Sequence, residues 1–72
     1  MTAAEKRAKD MIAKLSTAEV VKQFELTEAM DTTIQVATVR GWLMDELEKR
    51  NADAFDRWMD SEDDSPRAFF TA

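Results

Sequence analysis

The chain has no cysteine, no histidine and no tyrosine, and only one glycine and one proline in 72 residues. Without cysteine there are no disulfides or thiolate sites. Without cysteine and histidine the usual zinc-finger ligand sets are excluded as well. The same two absences remove the common nucleophile–base pairs of covalent catalysis. One glycine and one proline leave too few turn formers for a β-rich architecture, so little strand is expected. No segment approaches the length of a membrane span. The charged start, MTAAEKRAKD, lacks the apolar run of a signal peptide. A small unbridged chain of this kind is expected in a reducing, cytoplasmic setting.

What is present is enough for one small core. Hydrophobic residues make up 44% of the chain, with two Trp, four Phe and five Met, at a length near the lower limit for folding without staples. The net charge of −5 is unevenly spread. Residues 1–15 carry four basic groups against two acidic ones, and residues 51–72 carry two basic against six acidic. The C-terminal half is therefore poorly matched to nucleic acid, whose phosphates are bound by Lys and Arg.

The most informative stretch is TIQVATVRGWLMDELEKR, Thr33 to Arg50. Val36, Val39, Leu43 and Leu47 recur at helical spacing, with Trp42 and Met44 on the flanks, so the fold is expected to be organised around this helix. Residues 3–15 form a second amphipathic helix with Ala4, Ala8, Met11, Ile12 and Leu15 on one face. Ser16 followed three residues later by Glu19 reads as a capping box, and Leu15 with Val20 as the staple across it. That helix spans about 17–28 and buries Val20, Val21 and Phe24. Asp31 or Thr32 is the expected cap of the central helix, placed at about 33–50. The β-branched run around Thr32–Val39 could suggest a strand, but it would find no partner strand. Lys49 and Arg50 suit the carbonyl end of the central helix. Asn51 then caps a short helix over about 52–61, with Phe55, Trp58 and Met59 on its apolar edge. The run DSEDDSPR reads as a solvated acidic linker that Pro66 closes to helix, leaving a C-terminal segment within 62–72. The expected fold is thus all-α, an irregular bundle of three main helices plus a short fourth, in one domain over 1–72.

Val39–Glu48, Phe55-Asp56-Arg57-Trp58, Ser65-Pro66-Arg67 and Phe69-Phe70 carry a resemblance to small uncharacterised helical proteins of actinobacterial genomes and phages, over roughly residues 38–70. The resemblance implies a phage or mobile-element setting and brings no functional site with it.

Ser16–Val21 and Ala37–Leu43 each read like part of a helix-turn-helix DNA binder. A true unit joins its helices by a turn of about three or four residues, whereas residues 25–36 separate these phrases. Asp45, Glu46 and Glu48 also make the second helix net acidic, against phosphate binding. Asp60, Glu62 and Asp64 alternate as at the start of a calcium loop. That loop needs Gly at its sixth position and Glu at its twelfth, and these are Ser65 and Thr71 here. No metal, cofactor or enzyme activity is expected. Adjacent carboxylates such as Asp45 and Glu46 point to different sides of a helix and cannot pair as acid and base.

The expected role is protein–protein interaction, with self-association as one form of it. The partner surface is placed near the short helix and the C-terminal segment, on Trp58, Phe69 and Phe70, rimmed by Asp60, Glu62, Asp63 and Asp64. Against this, Phe69 and Phe70 are expected to dock onto the bundle, since exposed Phe pairs reduce solubility. Alternatives are an acidic DNA-mimic inhibitor and, less favoured, a helix-turn-helix-like DNA binder.

Overall fold

The computed structural model describes residues 2–70. The C-terminal two residues of the 62–72 segment lie outside the described residues, as does Thr71 of the calcium-loop comparison. Every regular element among the described residues is α-helical: α1 (Ala3–Lys14), α2 (Thr17–Glu28), α3 (Ile34–Arg50), α4 (Ala52–Asp60) and α5 (Arg67–Phe70). The all-α bundle expected from composition is what forms.

Side-chain caps set the starts of the first four helices. Thr2 accepts the Glu5 amide at the head of α1. At α2 the capping box is complete, Ser16 Oγ accepting the Glu19 amide at 3.1 Å and Glu19 accepting the Ser16 amide at 3.0 Å. These bonds satisfy donors that a helix start otherwise leaves unpaired. The same contacts hold the Glu19 carboxyl below its usual range, the Ser16 backbone bond being the main cause. The cap of α3 is Thr33, which accepts the Val36 amide, rather than Asp31 or Thr32. Asn51 is at once the last residue of α3's cap and the first of α4's: its amide bonds the Leu47 carbonyl and its Oδ1 accepts the Ala54 amide. Helices α3 and α4 therefore meet at a one-residue elbow.

The core lies where α2, α3 and α4 meet. Val20, Val21, Phe24, Leu43, Leu47 and Trp58 are buried together, with Ile12, Leu15, Met44, Phe55, Phe69 and Phe70 packed partly against them. Leu43 and Leu47 are the buried residues of α3, on the face their spacing predicts. The Phe24 and Trp58 rings meet edge to face with centroids 5.1 Å apart, and Phe55 joins Trp58 in the same geometry at 5.8 Å. Helix α1 contributes no buried residue. The molecule is 17 Å deep along its shortest axis, the depth of two helix layers spaced about 8–10 Å apart. No helix is surrounded on all sides.

Three features differ from the sequence expectations. Pro66 does not end helical structure but opens a further turn: its carbonyl accepts the amides of Phe69 and Phe70, and proline is suited to a helix's first turn because its missing N–H would be unpaired there. The acidic run is an ordered turn rather than a solvated linker. Ser61 Oγ accepts the Asp63 amide, Asp63 Oδ1 accepts the Ser65 amide, and Ser65 Oγ accepts the Arg67 amide. Each side chain thus bonds the backbone two residues on, which is how Ser and Asp stabilise turns. Arg50, finally, lies in the last turn of α3 as expected but also serves α1. Its guanidinium donates to the carbonyls of Ile12, Ala13 and Leu15 and is held by Glu46 at 2.7 Å. It thereby closes the carbonyl end of α1.

Candidate interaction surface

The residues expected to anchor a partner are used inside the molecule. Trp58 is 4% exposed, and its Nε1 donates to the Asp63 carbonyl at 3.0 Å. It cannot present a surface anchor from that position, because both its rings and its polar handle are already engaged. Phe69 and Phe70 are half-buried against the core, as the docking alternative anticipated. Helix α5 is clasped onto α2 as well as packed on it. Ser65 Oγ donates to Glu25 Oε2 at 2.8 Å, and the Arg67 guanidinium engages both oxygens of the same carboxylate. Arg67 and, secondarily, Ser65 hold the Glu25 carboxyl down to about 2, and the carboxylate in turn raises the Arg67 pKa. Asp60, Glu62, Asp63 and Asp64 remain exposed along the turn beneath this clasp.

Arg40, within the phrase resembling a recognition helix, is also turned inward. Its guanidinium carbon lies 4.5 Å from the Phe24 ring centroid, its Nη1 donates to Thr27 Oγ1 at 3.1 Å, and its Nη2 pairs with Glu28 at 2.7 Å. The buried Thr27 hydroxyl in turn donates to the Phe24 carbonyl at 2.6 Å. The arrangement ties α2 to α3. Among the described residues no buried side-chain polar atom lacks a partner, and no group of three acids is placed to hold a metal ion.

The exposed apolar surface lies elsewhere, on the side of α3 that no helix covers. Two grooves run there. One is lined by Ala8, Met11, Leu15 and Trp42, the other by Thr27, Met30, Gln35 and Val36, and Gln23, Val39 and Leu43 belong to both. They form one continuous trough from α1 across α3 to the end of α2. Met11 is 68% exposed, Met30 54% and Leu26 47%. Leu26 is exposed on α2 but does not line either groove. Val39 is 36% exposed at the centre of the trough although it keeps the spacing of Leu43. Helical periodicity put Val39 on the same stripe as Leu43, but open groove rather than packed side chains lies over it. Ile34, 83% exposed, is not part of the trough. It lies nine residues before Leu43, half a turn out of phase at about 100° per residue.

The sequence carried a signal for this face. The apolar residue Met30 falls off the buried stripe of α2, and a small domain has few reasons to keep such residues exposed together. Comparison of the chain with protein-family models, with curated proteins and with solved structures finds no match. Among the described residues no helix is long and apolar enough to cross a membrane.

Proposed function

We propose that the chain is a small protein–protein interaction factor that works through the Met11–Val39–Met30 face. The observation carrying this reading is the inverted placement of its apolar residues. Phe55, Trp58, Phe69 and Phe70 pack against the core, while Met11, Met30 and Val39 line one uncovered trough. Flexible methionines on an open apolar surface suit it to a partner's side chains, because an unbranched thioether repacks at little cost. Exposed Arg7 and Lys14 beside Met11 supply the polar rim usual around such a face. A phage or mobile-element setting rests on the resemblance of residues 38–70 alone.

The test is capture of a partner in the native host by the wild-type chain and by Met11→Glu and Met30→Glu variants. Both positions are exposed, so the variants should keep the wild-type circular dichroism and lose the partner. Capture that survives both changes but disappears when Asp60, Glu62 and Asp64 are neutralised would move the function to the acidic turn and overturn this assignment.

A further inference from the structure

We infer that the occupant of the Met11–Val39–Met30 face is a second copy of this chain, docked antiparallel about a two-fold axis. The inference rests on the interaction surface proposed above and names its partner. Three observations converge on it.

The first is the thinness of the core. The buried apolar cluster is six side chains drawn from α2, α3 and α4, and α1 has no buried residue at all. Domains of this length that lack disulfides and metals commonly complete their apolar burial by association. The trough is bounded by α1, so a copy seated in it would bury the helix that the monomer leaves outside.

The second is the distribution of charge along the trough. At its α1 edge, exposed Arg7 and Lys14 stand one turn to either side of Met11. At the opposite edge α2 ends with no basic residue in its last turn. Arg40 reaches that end from α3, pairing with Glu28 and Thr27, and the negative charge left at this edge is exposed Asp31, directly after Met30. A two-fold axis through Val39 sets the cationic edge of each copy over the anionic edge of the other. An isologous interface requires a patch that is complementary to itself in this way. A purely basic or purely acidic partner would meet like charge at one edge.

The third is the shape at the centre. Val39 lies between two grooves that share Gln23, Val39 and Leu43. Under the two-fold, Met11 of each copy faces the groove beside Met30 of the other. An exposed, flexible side chain at one end thus meets an apolar recess at the other.

Sedimentation equilibrium over micromolar to millimolar concentrations tests this directly. The mass should rise from one chain to two, and the melting midpoint should climb with concentration, since association stabilises only the folded form. Met11→Glu and Met30→Glu should each give a folded monomer. Met59→Glu, at an exposed position on α4 outside the trough, should leave the dimer intact. Arg7→Glu with Lys14→Glu should weaken association by about tenfold or more, and Asp31→Lys added to that pair should recover part of the loss. A chain that sediments as a monomer throughout, or a dimer indifferent to the charge reversals, overturns the antiparallel pairing. A monomer whose Met11→Glu variant still loses a host protein removes self-association and leaves the interaction surface standing. A dimer that survives both Met11→Glu and Met30→Glu, with host capture unchanged, removes both.

Discussion

The guanidinium of Arg50, the last residue of α3, donates to the carbonyl of Leu15 at 2.7 Å. With its bonds to Ile12, Ala13 and Thr17 it ties the α1–α2 corner to the end of the central helix. Helix α1 has no buried residue, so this single side chain is a large part of what holds it in place. Arg50→Ala should destabilise the fold by about 1.5–3 kcal/mol, the range for hydrogen bonds to a charged group. Arg50→Lys should recover little, because an ammonium cannot reproduce the planar fork. Urea midpoints with an unchanged m-value measure the loss; equal stability of Arg50→Ala and wild type would mean that α1 is held by packing alone.

Leu43 and Val39 occupy the same stripe of α3, one turn apart, and differ only in what covers them. Leu43→Ala should cost about 2–5 kcal/mol, as buried leucines do. Val39→Ala, on the open trough, should stay within about 1 kcal/mol in the monomer. Thermal melts of the two variants at low concentration separate them, and similar losses would show that the trough is filled within one chain.

Ser16 and Glu19 close the start of α2 reciprocally. Ser16→Ala should cost about 0.5–2 kcal/mol. The double variant with Glu19→Ala should lose less than the two single effects combined, since each bond helps to place the other residue. A double-mutant cycle with full additivity would break the box into two independent bonds.

Glu25 links stability to pH through the clasp on α5. Its carboxyl sits at about 2, below its ordinary value of 4.5. A lowered acid stabilises the fold above its unfolded pKa and loses that contribution as pH falls through the folded value. The contribution should therefore be fully present above about pH 4.5 and gone near pH 2. Compared with Glu25→Gln, the wild-type protein should protect the Phe70 amide and Trp58 indole N–H more strongly at neutral pH. The two proteins should converge as pH falls through this window. A constant difference between them from pH 7 to 2 would rule out the ion pair as the source.

The sequence made the helices legible wherever a polar cap and an apolar period agreed. Ser16 with Glu19, and Asn51 before Ala52, marked helix starts that the structure reproduces. The buried face of Leu43 and Leu47 followed from spacing alone. Pro66 was ambiguous because proline both stops a helix and suits the first turn of one. The serine before it, whose Oγ accepts the Arg67 amide, was the signal that favoured a start. The run from Ser61 to Arg67 has a linker's composition, yet its alternation of Ser, Asp and Ser lets each side chain bond the backbone two residues on. Arg50 was beyond reach, since its acceptors lie 35 to 38 positions away. Periodicity also specifies which way a side chain points and not whether a neighbour stands there. That is why Val39 read as core; Trp58 was placed at a surface by its size and the charge beside it, although its spacing on the apolar edge of α4 suits the core position it takes.

Asn51 leaves the α3–α4 elbow no slack. Its amide, carbonyl and side-chain oxygen are all committed, to Leu47, Phe55 and Ala54. One residue inserted there would turn α4 by about 100° and swing Trp58 away from Phe24. The exposed turn at Asp31, Thr32 and Thr33 has no comparable obligation apart from the cap made by Thr33. Length variation in chains of this fold should therefore gather at residues 31–32, and the interval between Leu43 and Trp58 should behave as a fixed ruler.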